Sequence, residues 1–394
     1  MKELRLPIYL DNHSTTQVDS RVVDAMLPYF SEQYGNAASK QHEFGWRAEA
    51  AVEAARKTIA RLIGAEKNEI VFTSGATESI NLALKGVAEA YASKGNHIIT
   101  AATEHKAVLD TCKRLEKYGF QISILPVDRY GLVSVVDVEN AITEKTTLVS
   151  IMTANNEIGT IAPIWEIGEM CRVRNIIFHT DATQAVGKIP VDVIAMNIDL
   201  LSFSSHKMYG PKGIGALFVR STTPKLRVMP QIDGGGHESG LRSGTLNVPA
   251  IVGFGEAAKL AHAAMEEESV QIKHLRDRLE NGILAQVPDS FVNGHPTSRL
   301  PNNSSITFRF AEADRMMMEM KDVAVSSGSA CSSDEPEPSH VLRAIGLNNE
   351  DAKSSIRFGV GRFTTEQEID YVIQRVRETV QSVRDRKVHV QLTH

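Results

Sequence analysis

Several residues able to do chemistry sit just beyond β-rich runs of the chain. Ser74-Gly75-Ala76-Thr77 follows one such run and leads into a helical pattern. Thr103-Glu104-His105-Lys106 follows the next, and Asn155-Asn156-Glu157, Asp181 with Gln184, and Ser204-Ser205-His206-Lys207 follow later ones. Each has a plain reading when taken singly: His105 as a surface histidine, Asp181 as a helix cap, Lys207 as a solvated charge. Those readings do not explain the grouping. Ligands of open α/β sheets bind beyond the carboxyl ends of the strands, so these residues would share one rim. An aspartate against a pyridine nitrogen and a lysine forming an imine with an aldehyde are what pyridoxal phosphate requires. The carboxylate keeps the ring nitrogen protonated, and the ring then accepts a carbanion's electrons. The turn at Gly75 would offer backbone N–H groups to the phosphate. The alternative there is an ordinary cap by Ser74 or Thr77 with Glu78 in the first turn. Neither a Walker A motif nor a complete GxGxxG fingerprint competes for the phosphate.

The elements that must hold this rim are legible. Glu69–Thr73, His97–Thr100, Gln121–Leu125, Thr147–Met152, Ile176–Thr180, Asp199–Ser204 and Ile214–Val219 read as strands. They are mostly apolar on both faces, as suits strands buried between two helix layers. Helical patterns such as Pro163–Arg174 lie between them, so the fold class is α/β with a mainly parallel, doubly wound sheet. The turn Gly210-Pro211-Lys212-Gly213 makes the last pair antiparallel. After Gly253 a long helix over about Phe254–Gln286, strands at Asn303–Phe308 and Val323–Ser326, and a final amphipathic helix form a smaller α+β domain. The domains are expected at 1–20 (a segment packing on the small domain), 21–262 (large, cofactor-binding) and 263–394 (small). The last residues, from Arg384 on, read as a frayed end.

Composition narrows the classes. Hydrophobic residues are 42% of 394, enough to bury cores, which excludes a disordered chain. A net charge of −5 with acid and base interleaved argues against nucleic acid. No run of eighteen apolar residues spans a bilayer, and the N-terminus lacks a secretory pattern, so a cytoplasmic, reduced protein is expected. Cys112, Cys171 and Cys331 include no CxxC pair. His105, His179 and His206 lack a metal-ligand spacing. Cys112 and Cys171 sit in helical apolar patterns and read as core thiols. Cys331 lies in the small, polar, Pro-bounded stretch Val325–Pro338, which reads as a mobile loop.

Taken together, these segments resemble the motifs of the cysteine desulfurases, in order. They are Thr73–Ser79, Thr103–Lys106, Asn155–Gly159, Asp181–Gln184, Ser204–Lys207, Gly234–Glu238, Arg242–Thr245, Ser326–Cys331 and Ser355–Arg357. The resemblance runs from Tyr9 to Phe363 and is to the iron-sulfur-assembly type, whose cysteine lies in Ser-Gly-Ser-Ala-Cys. It implies a homodimeric fold-type-I pyridoxal phosphate enzyme that turns L-cysteine into L-alanine and leaves a persulfide on its own cysteine. By motif, Lys207 would be the Schiff-base lysine, and His105 would stack on the ring and shuttle protons. Asp181 would pair with the ring nitrogen and Gln184 with the ring hydroxyl. Ala76, Thr77, Ser204 and His206 would hold the phosphate, and Thr245 would reach it from the partner subunit. Asn156 and Arg357 would contact the substrate, Arg357 as a bidentate carboxylate clamp. Cys331 would be the nucleophile, passing sulfur to an iron-sulfur scaffold or another acceptor, and is the residue that could share a cluster there.

Departures and rivals remain at this stage. Asp334, Glu335 and Glu337 follow Cys331 and disfavour a thiolate. Asn12-His13-Ser14 and Ser205 are unusual, and the chain stops soon after its last helix, where scaffold-docking residues would lie. An aminotransferase would need no loop cysteine, whereas a selenocysteine lyase would share almost every residue. A non-catalytic scaffold of the same fold would have no need of Lys207, His105, Asp181 and Cys331 together.

Overall fold

A computed structural model describes residues 4–221, 226–327 and 338–392, with side chains to residue 386. The chain opens with β1 (Ile8–Tyr9), α1 (Ser20–Met26), α2 (Pro28–Ser31) and α3 (Glu43–Leu62). Next come β2 (Ile70–Thr73), α4 (Ala76–Tyr91), β3 (His97–Ala101), α5 (Lys106–Glu116), β4 (Gln121–Leu125), α6 (Val135–Ala141) and β5 (Thr146–Ser150). The strand–helix alternation ends with α7 (Ile164–Val173), β6 (Ile177–Asp181), β7 (Leu200–Ser204) and β8 (Gly215–Val219).

These strands form one seven-stranded sheet in the order β2-β8-β7-β6-β5-β3-β4. Only β8 runs against its neighbours, pairing antiparallel with β2 and β7, as the Gly-Pro-Lys-Gly turn suggested. Successive residues feed opposite helix layers. Ile99, Val149, Phe178 and Leu201 join one buried cluster, while Ile98, Leu148, Ile177 and Leu200 join the other. That is why the strands read as unbroken apolar runs rather than alternating ones. The exception is β4, the sheet edge, whose residues are largely exposed or half-buried up to Leu125. The expectation of two apolar faces fails there, whereas β2, at the opposite edge, is fully buried.

The remainder builds a second core. α8 (Val248–Gln286) leads to β9 (Ser290–Asn293), β10 (Asn303–Phe308), α9 (Ala313–Glu319) and β11 (Val323–Ala324). It ends with α10 (His340–Ala344), α11 (Asn349–Lys353), β12 (Ser355–Gly359) and α12 (Glu366–Leu392). β12, β10 and β9 form an antiparallel sheet, and β1 pairs in parallel with β11. Ile306, Phe308, Ile356 and Phe358 pack there with Val372 and Val376 of α12, and with Ile8 and Leu10 from the chain's start. α8 begins earlier than its apolar pattern suggested, because the Asn247 side chain caps it at the Ala250 N–H and Pro249 suits a first turn. Its first half, to Ala261, belongs to the large core, and Ile272, Leu279 and Ile283 belong to the small one. The expected boundary at 262/263 therefore falls inside one continuous helix. The backbone also stays helical to Leu392, where a frayed end was expected.

Candidate active site

The polar residues named from the sequence converge on a cavity of about 620 Å³ at the carboxyl ends of the parallel strands. Ala76, Thr77, His105, Asn156, Asp181, Gln184, Ser204, His206, Lys207 and Arg357 all line it. At one end stands the N-terminus of α4. Gly75 is its N-cap and contributes no side-chain cap, so neither Ser74 nor Thr77 plays the capping role considered above. The first amides of a helix lack intrahelical acceptors, and here they face the cavity wall with the helix dipole behind them. Gly215 makes this closeness feasible: a Cβ there would come within 2.7 Å of the Gly75 backbone. Ser204 and His206 close the same end. His206 Nδ1 lies 3.1 Å from Thr15 Oγ1, and burial first, then the Lys207 charge, push the ring's pKa down to about 4.

The middle of the cavity carries the ring-binding candidates. Asp181 ends β6 and is buried, with Oδ1 accepting the Thr183 N–H at 2.9 Å, so it is a strand terminus rather than a helix cap. His105 caps α5: Nδ1 accepts the Ala107 N–H at 3.1 Å. A ring with Nδ1 accepting is neutral, and burial lowers its pKa while Asp181 opposes the shift. Lys207 follows β7 in a short turn. Its Nζ donates to the carbonyls of His13 and Ser14, the latter at 2.6 Å. Burial, reinforced by the Arg357 charge, pushes its ammonium down to about 8. A depressed amine pKa favours the neutral, nucleophilic form needed to capture an aldehyde.

Arg357 reaches the cavity from β12, on the small sheet. Nη1 donates to the Asn156 carbonyl at 2.8 Å; Nη2 donates to Asp11 Oδ1 at 2.8 Å and to Ser14 Oγ at 2.9 Å. Nε is buried without a partner among the described residues. Gly159 lets the Asn155–Gly159 turn approach β10: its φ is +73°, and a Cβ would meet the Asn303 side chain at 2.6 Å. Two sequence-named residues stand apart. Thr245 is exposed and does not line this cavity, and Cys331 lies outside the described residues. Cys112 and Cys171 are both buried, and burial pushes each thiol up to about 12. Sequence reasoning gave no role to Asp11, Ser14, Thr15 or Lys188. Only the unusual Asn-His-Ser triplet pointed toward this corner.

A family model for aminotransferase class-V matches residues 8–372. A cysteine desulfurase IscS from Anaeromyxobacter sp. (strain Fw109-5) is 55% identical over 382 residues, covering 97% of this chain and 94% of that protein. One from Glaesserella parasuis serovar 5 (strain SH0165) is 56% identical over 386 residues, with 97% and 95% covered. A solved NifS-like protein superposes with a TM-score of 0.89 at 37% identity, covering 95% of this chain and 100% of the other. A structure titled SspA in complex with cysteine superposes at 0.80 and 38% identity, covering 91% and 100%.

The chain belongs to the class-V aminotransferase family, among the IscS/NifS-like cysteine desulfurases. The cofactor of this family is pyridoxal phosphate, and the desulfurase cavity fits it on its own evidence. The uncapped α4 terminus suits the phosphate, the buried Asp181 carboxylate suits a pyridinium nitrogen, and Lys207 supplies an amine of lowered basicity.

Proposed function

We propose that this chain removes sulfur from L-cysteine, releasing L-alanine and leaving a persulfide on Cys331 for an acceptor in iron-sulfur assembly. Bound pyridoxal phosphate supplies the aldehyde that holds the substrate amine and the ring that accepts electrons from the substrate's α-carbon. Ala76, Thr77, Ser204 and His206 hold its phosphate, Asp181 its ring nitrogen, and Gln184 its ring oxygen. Lys207 binds it covalently. His105, neutral and with Nδ1 engaged by Ala107, carries any exchanged proton on Nε2. Arg357 takes the substrate carboxylate beside Asn156.

The sulfur step balances without an external reductant. The Cys331 sulfur bonds to the substrate sulfur, the substrate C–S bond breaks, and the β-carbon gains the hydrogen that completes alanine. Both sulfurs end one oxidation level higher, and the β-carbon is correspondingly reduced. Cys331 takes the nucleophile's role in this reading because Cys112 and Cys171 are buried, protonated thiols with no access to the cavity. Described residues on either side of its segment contact the site. Ser326 exchanges backbone hydrogen bonds with Arg357, and His340 Nε2 lies 2.9 Å from the Glu104 carbonyl, next to His105. Thr245, exposed and away from its own cavity, is assigned to the phosphate of a partner subunit in a homodimer.

One observation carries the reading: Lys207, His105 and Asp181, at the ends of three strands of the large sheet, and Arg357, from the middle of β12, face one cavity. The test is incubation with L-cysteine and a thiol reductant, with sulfide and alanine quantified together. Equal amounts are expected, and Cys331→Ala should keep the cofactor's absorbance while losing both products. Alanine formation at the parent rate in that variant would remove Cys331 from its role.

A further inference from the structure

The His13 imidazole and the Lys188 ammonium have no part in the site as described so far, yet they meet at Gln184. Lys188 Nζ donates to Gln184 Oε1 at 3.0 Å, and His13 Nδ1 lies 2.9 Å from the same oxygen. Gln184 Nε2 donates back to the His13 carbonyl at 3.0 Å. Across the imidazole, His13 Nε2 lies 3.2 Å from Asn303 Nδ2, whose amide also donates to the Glu157 carbonyl at 3.1 Å. His13 and Gln184 are 1% and 4% exposed, so water does not compete for these bonds.

Chemistry dictates every direction in this chain. An ammonium has hydrogens and no acceptor, so the Gln184 atom it meets is the oxygen. His13 meets that same oxygen and must bring a proton on Nδ1. Asn303 gives an N–H to a carbonyl, so its nitrogen is the atom facing His13, and His13 Nε2 accepts. A doubly protonated ring would set an N–H against an NH₂ group, and burial holds the His13 pKa well below its usual value. Gln184 then retains one amide N–H without a described partner, on a side chain that lines the cavity.

Lys188 is an odd choice for a structural filler. Burial pushes its ammonium down to about 7, and the charges acting on it are the cations Lys207 and Arg357. A buried lysine among cations is unfavourable unless its hydrogen bond matters; the described one goes to Gln184.

We propose that Lys188 and His13 are positioning residues for the cofactor: they lock the Gln184 carboxamide so that it presents N–H, not C=O, to the ring oxygen of pyridoxal phosphate. The inference rests on the cofactor assignment above. An ionised ring oxygen is stabilised by a donor and repelled by a carbonyl, and a flipped amide would turn its NH₂ onto two donors at once. Lys188 therefore sets the electronic state of the ring without touching it.

The test uses holoprotein loaded with pyridoxal phosphate. Lys188→Met keeps the aliphatic stem and removes the donor. Cofactor retention should weaken about tenfold, and the pH midpoint of the bound cofactor's visible absorbance should rise by about one unit, the tenfold equivalent. Lys188→Gln, which can still donate, should recover part of both effects. A Lys188→Met protein that retains cofactor and titrates like the parent would overturn the proposal. Should that variant not fold, nitrogen NMR of His13 in the parent decides. A proton on Nδ1 with bare Nε2 supports the lock, and the opposite tautomer or an imidazolium overturns it. A parent protein that takes up no pyridoxal phosphate would instead overturn the cofactor assignment itself.

Discussion

Arg357 is already engaged before any substrate arrives. A carboxylate clamp needs two parallel N–H groups, but both Nη2 hydrogens are committed, one to Asp11 and one to Ser14. Asp11 would therefore compete with the substrate's carboxylate for the guanidinium. Asp11→Asn removes that competing charge while keeping the shape. We expect KM for cysteine to fall by about three- to tenfold with kcat little changed, within the range of one ordinary net hydrogen bond. Steady-state kinetics would check this, and a raised KM would make Asp11 a support for Arg357 rather than its competitor. The resemblance of Ser355–Arg357 to a desulfurase motif named Arg357; residue types and spacing alone did not. They said nothing about its occupancy, because Asp11 and Arg357 are brought together only when the chain's first residues pack beside the small sheet.

His179 belongs to the scale of elements. It lies in the middle of the sheet on β6, fully buried, with Nδ1 2.8 Å from Ser150 Oγ of β5 and Nε2 2.9 Å from Ser202 Oγ of β7. It is a polar rung across three strands and not a ligand. Burial pushes its pKa down to about 3 from an ordinary 6.5. Between those values the unfolded chain binds a proton that the folded chain refuses, so stability rises with pH across that window and is lost as pH falls below about 6.5. Buried His13 and depressed His206 act with the same sign. Urea midpoints should therefore drop between pH 7 and pH 5. The drop should be smaller in His179→Gln, even though that variant starts less stable, and an unchanged slope would refute this role. The sheet itself was readable because consecutive apolar residues feed two helix layers. The short β9 and β12 were less visible: β12 (Ser355–Gly359) mixes Ser and Arg into its run, because its Arg357 serves the cavity. The start of α8 was hidden because its cap, Asn247, stands ahead of the apolar periodicity.

At the scale of the molecule, α8 ties the two cores together. Thirty-nine residues at about 1.5 Å each make a rod of roughly 58 Å, buried in the large core at one end and in the small core at the other. Arg362 adds a second tie, bonding Asp19 at 2.9 Å and Glu268 of α8 at 2.6 Å while lying over the Tyr209 ring. Ala264→Pro would break the rod between its two buried stretches at a cost of about 3 kcal/mol or more. Both tryptophans, Trp46 and Trp165, lie on the large-core side. We therefore expect far-UV ellipticity to fall at lower urea than tryptophan fluorescence in the variant, while the two coincide in the parent. Coincident transitions in both would mean that other contacts couple the cores. The large core was legible as strand–helix alternation, whereas the small one draws on both ends of the chain: residues 1–20 were expected on it as a segment, but no local pattern shows that Ile8 and Leu10 are the ones that enter it. That same closure has a consequence during synthesis. Ile8 pairs with Val323, so at ribosomal rates of ~5–20 residues per second the first strand spends roughly 15–60 s without its partner. The large core can consolidate while translation continues, but the small core, and with it the seat of Arg357, must wait until the chain is nearly complete.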